Sequence, residues 1–207
     1  MNEEISVIGF DLDLTLVDTR AATAYALDMV NLEFETRIDV PLFLKRLGPP
    51  IMDEIRPWIP EDRLEAAADH FRSAFLNGGL ELLAALPGAH ESVERLISSG
   101  GKVVVITSRR QHIAEAVLAR CGIRANVVVG GRTGIEKASA MTANWVTCYL
   151  GDHPLDMQGA KAAKVMAIGV LSGTHNRAEL TSAGADLVVN DLCEFDDLLA
   201  QRLRRAE

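Results

Sequence analysis

Apolar residues gather along this chain in short continuous runs, at residues 5–10, 102–106, 125–129, 146–150, 165–170 and 187–189. Several are apolar at successive rather than alternate positions, the pattern of strands covered on both faces. Between most of them lie stretches with helical spacing, at 90–99, 111–121 and 155–163. Strand alternating with helix predicts an α/β fold on a doubly wound parallel sheet.

One interval breaks the rhythm. From Asp18 to Leu86 no strand pattern occurs, and the segment reads as several helices. In one of them Leu64, Ala67, Ala68, Phe71, Ala74 and Phe75 keep the i, i+3, i+4, i+7 spacing of an apolar face. Pro60-Glu61-Asp62 supplies its start, with acids at the positive end of the helix dipole. Pro87-Gly88 marks the return to the sheet pattern. The expected layout is a core of residues 1–17 and 87–207 carrying a helical insertion, 18–86.

Two pairs of acids stand at strand ends. The run Val7-Ile8-Gly9-Phe10 leads directly into Asp11-Leu12-Asp13-Leu14-Thr15. Open α/β sheets bind ligands outside the carboxyl ends of their strands. Two carboxylates about 4 Å apart repel by roughly 4 kcal/mol at an effective dielectric of about 20, so a positive group must offset them. A hard cation such as magnesium, sharing oxygen ligands with a phosphate, fits; capping of the next helix is the plainer alternative. Gly151-Asp152-His153-Pro154-Leu155-Asp156 follows another apolar run. Asp152 can complete a metal site, and Asp156 can orient a bound water or Lys137, although either acid also suits a helix cap.

Two further signals are weaker alone. Thr107 and Ser108 end the run at 102–106 and can donate to phosphate oxygens; Arg109 and Arg110 could reach phosphate as well, but solvated helix residues are the favoured reading. Lys137 or its rival Arg132 could supply the cation that a bound phosphate still needs, although a lone lysine is usually plain surface. His153 either tunes the site near neutral pH or serves a local turn.

Composition narrows the partners. The 207 residues carry a net charge of −8, so nothing global attracts nucleic acid or an anionic membrane, and any phosphate must be held locally. The basic tail Arg202, Arg204, Arg205 reads as a solvated helix end. Three cysteines, an odd number with no CxxC pair, suggest neither a disulfide framework nor zinc; Cys121 and Cys148 read as core filler. The acidic start is unlike a signal peptide, no apolar run reaches the length of a membrane helix, and a cytoplasmic protein is expected.

Asp11-x-Asp13-x-Thr15, Thr107 after a strand, Lys137, and Gly151-Asp152-x-x-x-Asp156, in this order, resemble the haloacid dehalogenase (HAD) superfamily of phosphatases. The likeness covers essentially the whole chain and is nearest the subgroup with an α-helical cap, similar to phosphoglycolate phosphatase. It implies a Rossmann-like core with residues 18–86 as the cap. It also implies a nucleophile at Asp11, an acid and base at Asp13, and magnesium on the side chains of Asp11 and Asp152 and the carbonyl of Asp13. Thr15, Thr107, Ser108 and Lys137 would hold the phosphate, and Asp156 would support them. Gly48-Pro49-Pro50 resembles the family's substrate loop, though such a turn is also plain punctuation. Leu14 stands where glycine is frequent, Ala138 where proline often follows the lysine, and the stretch from Lys137 to Asp152 is short.

The implied partner is a small phosphorylated metabolite. A phosphomutase would need residues to reorient a sugar intermediate, and none is identifiable. Dehalogenation needs neither magnesium nor Asp13. A non-catalytic phospholigand sensor is disfavoured because every motif residue is present.

Overall fold

The computed structural model describes residues 7–206, with side chains as far as Gln201; Ile5, Ser6 and the side chains of Arg202, Arg204 and Arg205 lie outside that description. The chain opens with β1 (Val7–Phe10) and a short β2 (Val17–Asp18), then α1 (Arg20–Phe34), α2 (Val40–Leu44), α3 (Ile51–Ile55) and α4 (Glu61–Asn77). A short β3 (Ala84–Ala85) follows, then α5 (Ala89–Ser98), β4 (Lys102–Ile106), α6 (Gln111–Cys121), β5 (Val127–Val129) and α7 (Lys137–Ala143). The last part is β6 (Cys148–Gly151), α8 (Pro154–Ala163), β7 (Met166–Val170), α9 (Arg177–Ser182), β8 (Leu187–Val189) and α10 (Leu192–Ala206). No helix among the described residues is long and apolar enough to cross a membrane.

Six strands form one parallel sheet in the order β5-β4-β1-β6-β7-β8. Strand order therefore reverses on either side of β1, and the crevice at the carboxyl ends of β4, β1 and β6 is where such a sheet binds ligands. The continuous apolar runs have the predicted cause. Ile8, Phe10, Val103, Val105, Leu150 and Ile168 enter one core, while Val7, Val104, Ile106, Tyr149 and Ala167 enter another on the opposite face.

The expectation of no strand between Asp18 and Leu86 needs correction. Val17–Asp18 pairs antiparallel with Ala84–Ala85, making a two-residue ribbon where the helical segment leaves and rejoins the sheet. Four residues in two pieces carry no hydrophobic periodicity, so the ribbon had no signature to read. Between its strands the helical pattern holds. Helix α4 starts after Pro60 and buries Leu64, Ala67, Ala68, Phe71 and Phe75, with Ala74 partly covered. Each buried Leu or Phe contributes roughly 1.5–3 kcal/mol by removal from water. This face joins the same continuous core as Phe10 and Leu150 of the sheet, so the helical segment is packed onto the strands rather than tethered to them.

Leu14 lies in the tight turn after β1, where its N–H donates to the carbonyl of Val17. Its φ is 56°, the left-handed region, where glycine would carry no strain. Here the side chain is buried, so the strain of about 1–2 kcal/mol is set against burial worth more. We expect Leu14→Gly to relieve the strain yet lower stability by about 2 kcal/mol, because truncating a buried leucine costs roughly 2–5 kcal/mol; urea denaturation reads the difference.

Candidate active site

The centre of the site is a buried lysine among acids. Lys137 Nζ donates to Asp11 Oδ1 at 2.6 Å, to Asp156 Oδ1 at 2.6 Å and to the Tyr149 hydroxyl at 3.0 Å. Asp11 follows β1 and is tied there by its own N–H to the Leu150 carbonyl of β6. Asp152 follows β6, and Asp156 lies in the first turn of α8. Oxygens of Asp11, Asp152 and Asp156 lie within 4.8 Å of one another, and all three residues are buried.

Local sequence explains the approach of these parts. A side chain at Gly9 would meet the Tyr149 ring at 2.6 Å, so glycine in β1 lets the tyrosine cross the sheet, reach the Ile106 carbonyl and accept from Lys137. A side chain at Gly159 would meet the Gly134 carbonyl at 2.6 Å, so glycine in α8 admits the turn that starts α7 and sets Lys137 beside Asp156. The short stretch to Asp152 leaves α7 seven residues long, with Lys137 as its first.

Electrostatics follow from burial. It pushes Asp11 up to about 7 despite the opposing charge of Lys137, with Asp156 and Asp13 adding to the rise. Burial also raises Asp152 well above the usual range, helped by Asp11 and Asp156. Burial opposes the Lys137 ammonium, but Asp11 and Asp156 outweigh it and hold the lysine charged well above its normal range. Three carboxylates against one ammonium leave an excess of two negative charges when all are ionised. A divalent cation held by these acids would balance that excess, and an all-oxygen donor set suits a hard ion such as magnesium.

Asp13 is held differently. Arg109 grips it through Nε, at 2.9 and 2.8 Å from Oδ1 and Oδ2, and Nη2, at 2.6 Å from Oδ1; Thr19 Oγ1 also donates to Oδ1 at 2.6 Å. The guanidinium lies 4.1 Å from the centre of the Phe75 ring of α4. The side chain of Arg109 is 12% exposed, so the expectation of a solvated helix residue was wrong for it. Arg110 does fit that reading, half exposed and paired with Asp69. The arginine pair looked alike in sequence; only the fold shows that residue 109 turns to Asp13 after β1 while residue 110 turns to Asp69 of α4. Thr19 and Tyr149 were likewise missed, one lying in the entry to α1 and the other masked by its apolar strand.

The other expected residues separate into groups. Ser108, Gly48, Pro49 and Pro50 line one cleft with Asp11, Asp13, Lys137, Asp152 and Asp156, about 950 Å³ of space open at its mouth. Ser108 Oγ donates to the Gly48 carbonyl at 3.2 Å, joining sheet and helical segment across it. Thr107 is fully buried at the end of β4, its Oγ1 accepting from the Arg109 N–H. Thr15 is also fully buried, and its hydroxyl is committed to Asp152 Oδ1 at 3.1 Å. Arg132 is exposed, with its guanidinium on the neighbouring Gly131 carbonyl, away from Lys137's partners. Asp156 serves both readings at once, since Oδ1 takes Lys137 while Oδ2 accepts from the His153 N–H as a cap. His153 serves the turn: its Nδ1 accepts from the Leu155 N–H, and burial pushes its imidazole down to about 4, far from neutrality.

Comparison with known proteins agrees with this geometry. Residues 8–170 match the family model of haloacid dehalogenase-like hydrolases. The Dickeya dadantii protein named "Probable phosphatase IndB" is 30% identical, the match covering 91% of this chain and 90% of that one. A phosphoglycolate phosphatase of Chromobacterium violaceum is 26% identical, covering 95% and 97%. A solved haloacid dehalogenase-like family hydrolase from Streptococcus pneumoniae superposes with a TM-score of 0.80 at 20% identity, over 95% of this chain and 98% of that one.

Two outcomes follow from the buried charges. Lys137→Met leaves the acids without their cation, and stability should drop by about 3–5 kcal/mol in urea denaturation with chelator present. The second concerns pH. Asp11 binds its proton more tightly folded, at about 7, than in the unfolded chain, where an ordinary aspartate lies at 3.8, so the stability it contributes is present at low pH and lost as pH rises between these values. Asp11→Asn removes that titration, so with chelator the variant should gain on the wild type by on the order of a few kcal/mol from pH 4 to 7. Magnesium should shrink the gain by favouring the carboxylate.

Proposed function

The chain belongs to the haloacid dehalogenase-like hydrolase family, and from that membership we propose that it is a magnesium-dependent phosphatase, releasing phosphate from a small phosphomonoester through an aspartyl-phosphate on Asp11. The observation that carries the reading is Lys137 bonded to Asp11 within a cleft that also presents Asp13 and Asp152. Relatives named as phosphatases support the reaction class, and the phosphoglycolate phosphatases among them suggest a substrate of that size.

Asp11 and Asp152, with the Asp13 carbonyl, would hold the metal. A divalent cation there supplies charge neutralisation between the attacking carboxylate and the phosphate. Asp11 attacks phosphorus through a carboxylate oxygen while the ester P–O bond breaks. Asp13 gives the leaving oxygen its proton, then takes one from the water that cleaves the acyl phosphate and restores Asp11. Lys137 carries charge for the phosphoryl oxygens, with Ser108 of the cleft lining as a further donor. Thr15 acts one step back, by fixing Asp152. Tyr149 and Asp156 fix Lys137 in the same way.

Residues 18–86 act as a cap over the cleft, with Gly48-Pro49-Pro50 entering as the substrate loop. The cysteines among the described residues are unbridged, which suits a reducing cytoplasm.

Phosphate release from a panel of phosphorylated metabolites, with magnesium or with chelator, tests this function. Turnover should require the metal, and Asp11→Asn should lower it by about a thousandfold or more. Activity that survives chelation, or an Asp11→Asn enzyme as fast as wild type, would overturn the proposal.

A further inference from the structure

The helical segment brings two unsatisfied oxygens to the cleft. Among the described residues, the buried side-chain atoms without a hydrogen-bond partner are Thr23 Oγ1 and Glu54 Oε2, and both residues line the cleft. Thr23 is 1% exposed, and the Glu54 side chain is 13% exposed. A buried polar atom left unpaired is destabilising, and native folds keep few of them. Two in one cleft call for a common explanation.

Position ties them to the leaving group. Thr23 lies one turn after Thr19 on the same face of the first helix, and Thr19 donates to Asp13, the residue assigned to the leaving oxygen. Glu54 sits on α3, just after Gly48-Pro49-Pro50. The arginines of the cleft wall are already matched, Arg109 to Asp13 and both Arg72 and Arg110 to Asp69.

What Glu54 lacks is a hydrogen bond rather than a charge. The Arg46 guanidinium stands 3.3 Å from Oε2 and answers its charge, but is aligned too poorly for a hydrogen bond. A substrate ammonium would duplicate Arg46, and a substrate carboxylate would meet the like charge of Glu54. Neutral hydroxyls fit both positions: one donates to Oε2, and another exchanges a hydrogen bond with Thr23 Oγ1.

We propose that Thr23 and Glu54 form a hydroxyl-recognising subsite for the leaving alcohol, so that the substrate is the phosphomonoester of a neutral polyol. This inference rests on the phosphatase reading of the same cleft and adds the chemistry of the group that carries the phosphate.

In the Asp11→Asn protein with magnesium, affinities for glycerol 3-phosphate, n-propyl phosphate and 2-phosphoglycolate would be measured by calorimetry. The first two share a carbon chain and a charge and differ only in hydroxyls. Glycerol 3-phosphate should bind about tenfold or more tightly than n-propyl phosphate, the factor that a hydrogen bond to a charged group gives. It should also bind more tightly than 2-phosphoglycolate. Adding Glu54→Leu should bring the hydroxyl preference to within about threefold, while Glu54→Gln, which keeps an acceptor, should retain part of it. Thr23→Val removes an oxygen that has no partner in the free protein. Its urea midpoint should therefore equal or exceed that of the parent, while its affinity for glycerol 3-phosphate falls by about threefold or more. Equal binding of glycerol 3-phosphate and n-propyl phosphate, or binding of neither, overturns the inference whether or not the variants fold. Tighter binding of 2-phosphoglycolate, a preference that survives Glu54→Leu, or a Thr23→Val protein with a lower midpoint and unchanged affinity also overturns it. Release of phosphate from p-nitrophenyl phosphate by the wild type reads the phosphatase reaction with no aliphatic hydroxyl involved, so its failure would count against that reading instead.

Discussion

Everything in this molecule is arranged around the confinement of like charges. Asp11, Asp152 and Asp156 are brought within a few ångströms of each other in a place that water barely reaches, and Lys137 is the single cation among the described residues placed between two of them. Burial makes this unfavourable and chemically useful at once: it raises the affinity of the acids for protons and for a divalent metal. A charged pair of this kind is not a source of net stability, since desolvation cancels much of the attraction. Its stabilisation has to come from the apolar packing elsewhere.

The sheet provides that packing. Strands apolar on both faces bury one core beneath α7 and α8 and another that runs without interruption into the helical segment. The rigid element thus obtained sets the carboxyl ends of β4, β1 and β6 side by side, and each delivers one part of the site. Small residues then permit the final approach. Gly9 makes room for Tyr149, and Gly159 makes room for the turn before Lys137. Tyr149 in turn links Lys137 to the Ile106 carbonyl, so the cation is braced by neutral as well as charged partners.

A second charged unit lies beside the first. Asp13, Arg109 and the ring of Phe75 form a chain from β1 to α4, and Ser108 touches Gly48 along the same seam. Asp13, the acid in the proposed reaction, is therefore connected to the helical segment through one guanidinium.

The sheet is legible in the sequence, because residues buried on both faces leave continuous apolar runs, and so are the helices between β1 and β4, because a long stretch lacks such runs. The sequence by itself also determined Asp11, Asp13 and Asp152 as candidates, since acids directly after buried strands are hard to explain by packing. The preference for Lys137 over Arg132 rested on resemblance, and only the fold shows Lys137 between Asp11 and Asp156 while Arg132 faces outward. Only tertiary structure could divide Arg109 from Arg110, since neighbouring residues of the same type differ in function by the direction they face. The same holds for Thr15, whose partner lies 137 positions away, and for Tyr149, whose hydroxyl matters only where Ile106 of β4 and Lys137 of α7 meet it. Local pattern records what a residue's own segment needs; a contact across the sheet depends on how separate segments come together, and it leaves no period in the chain.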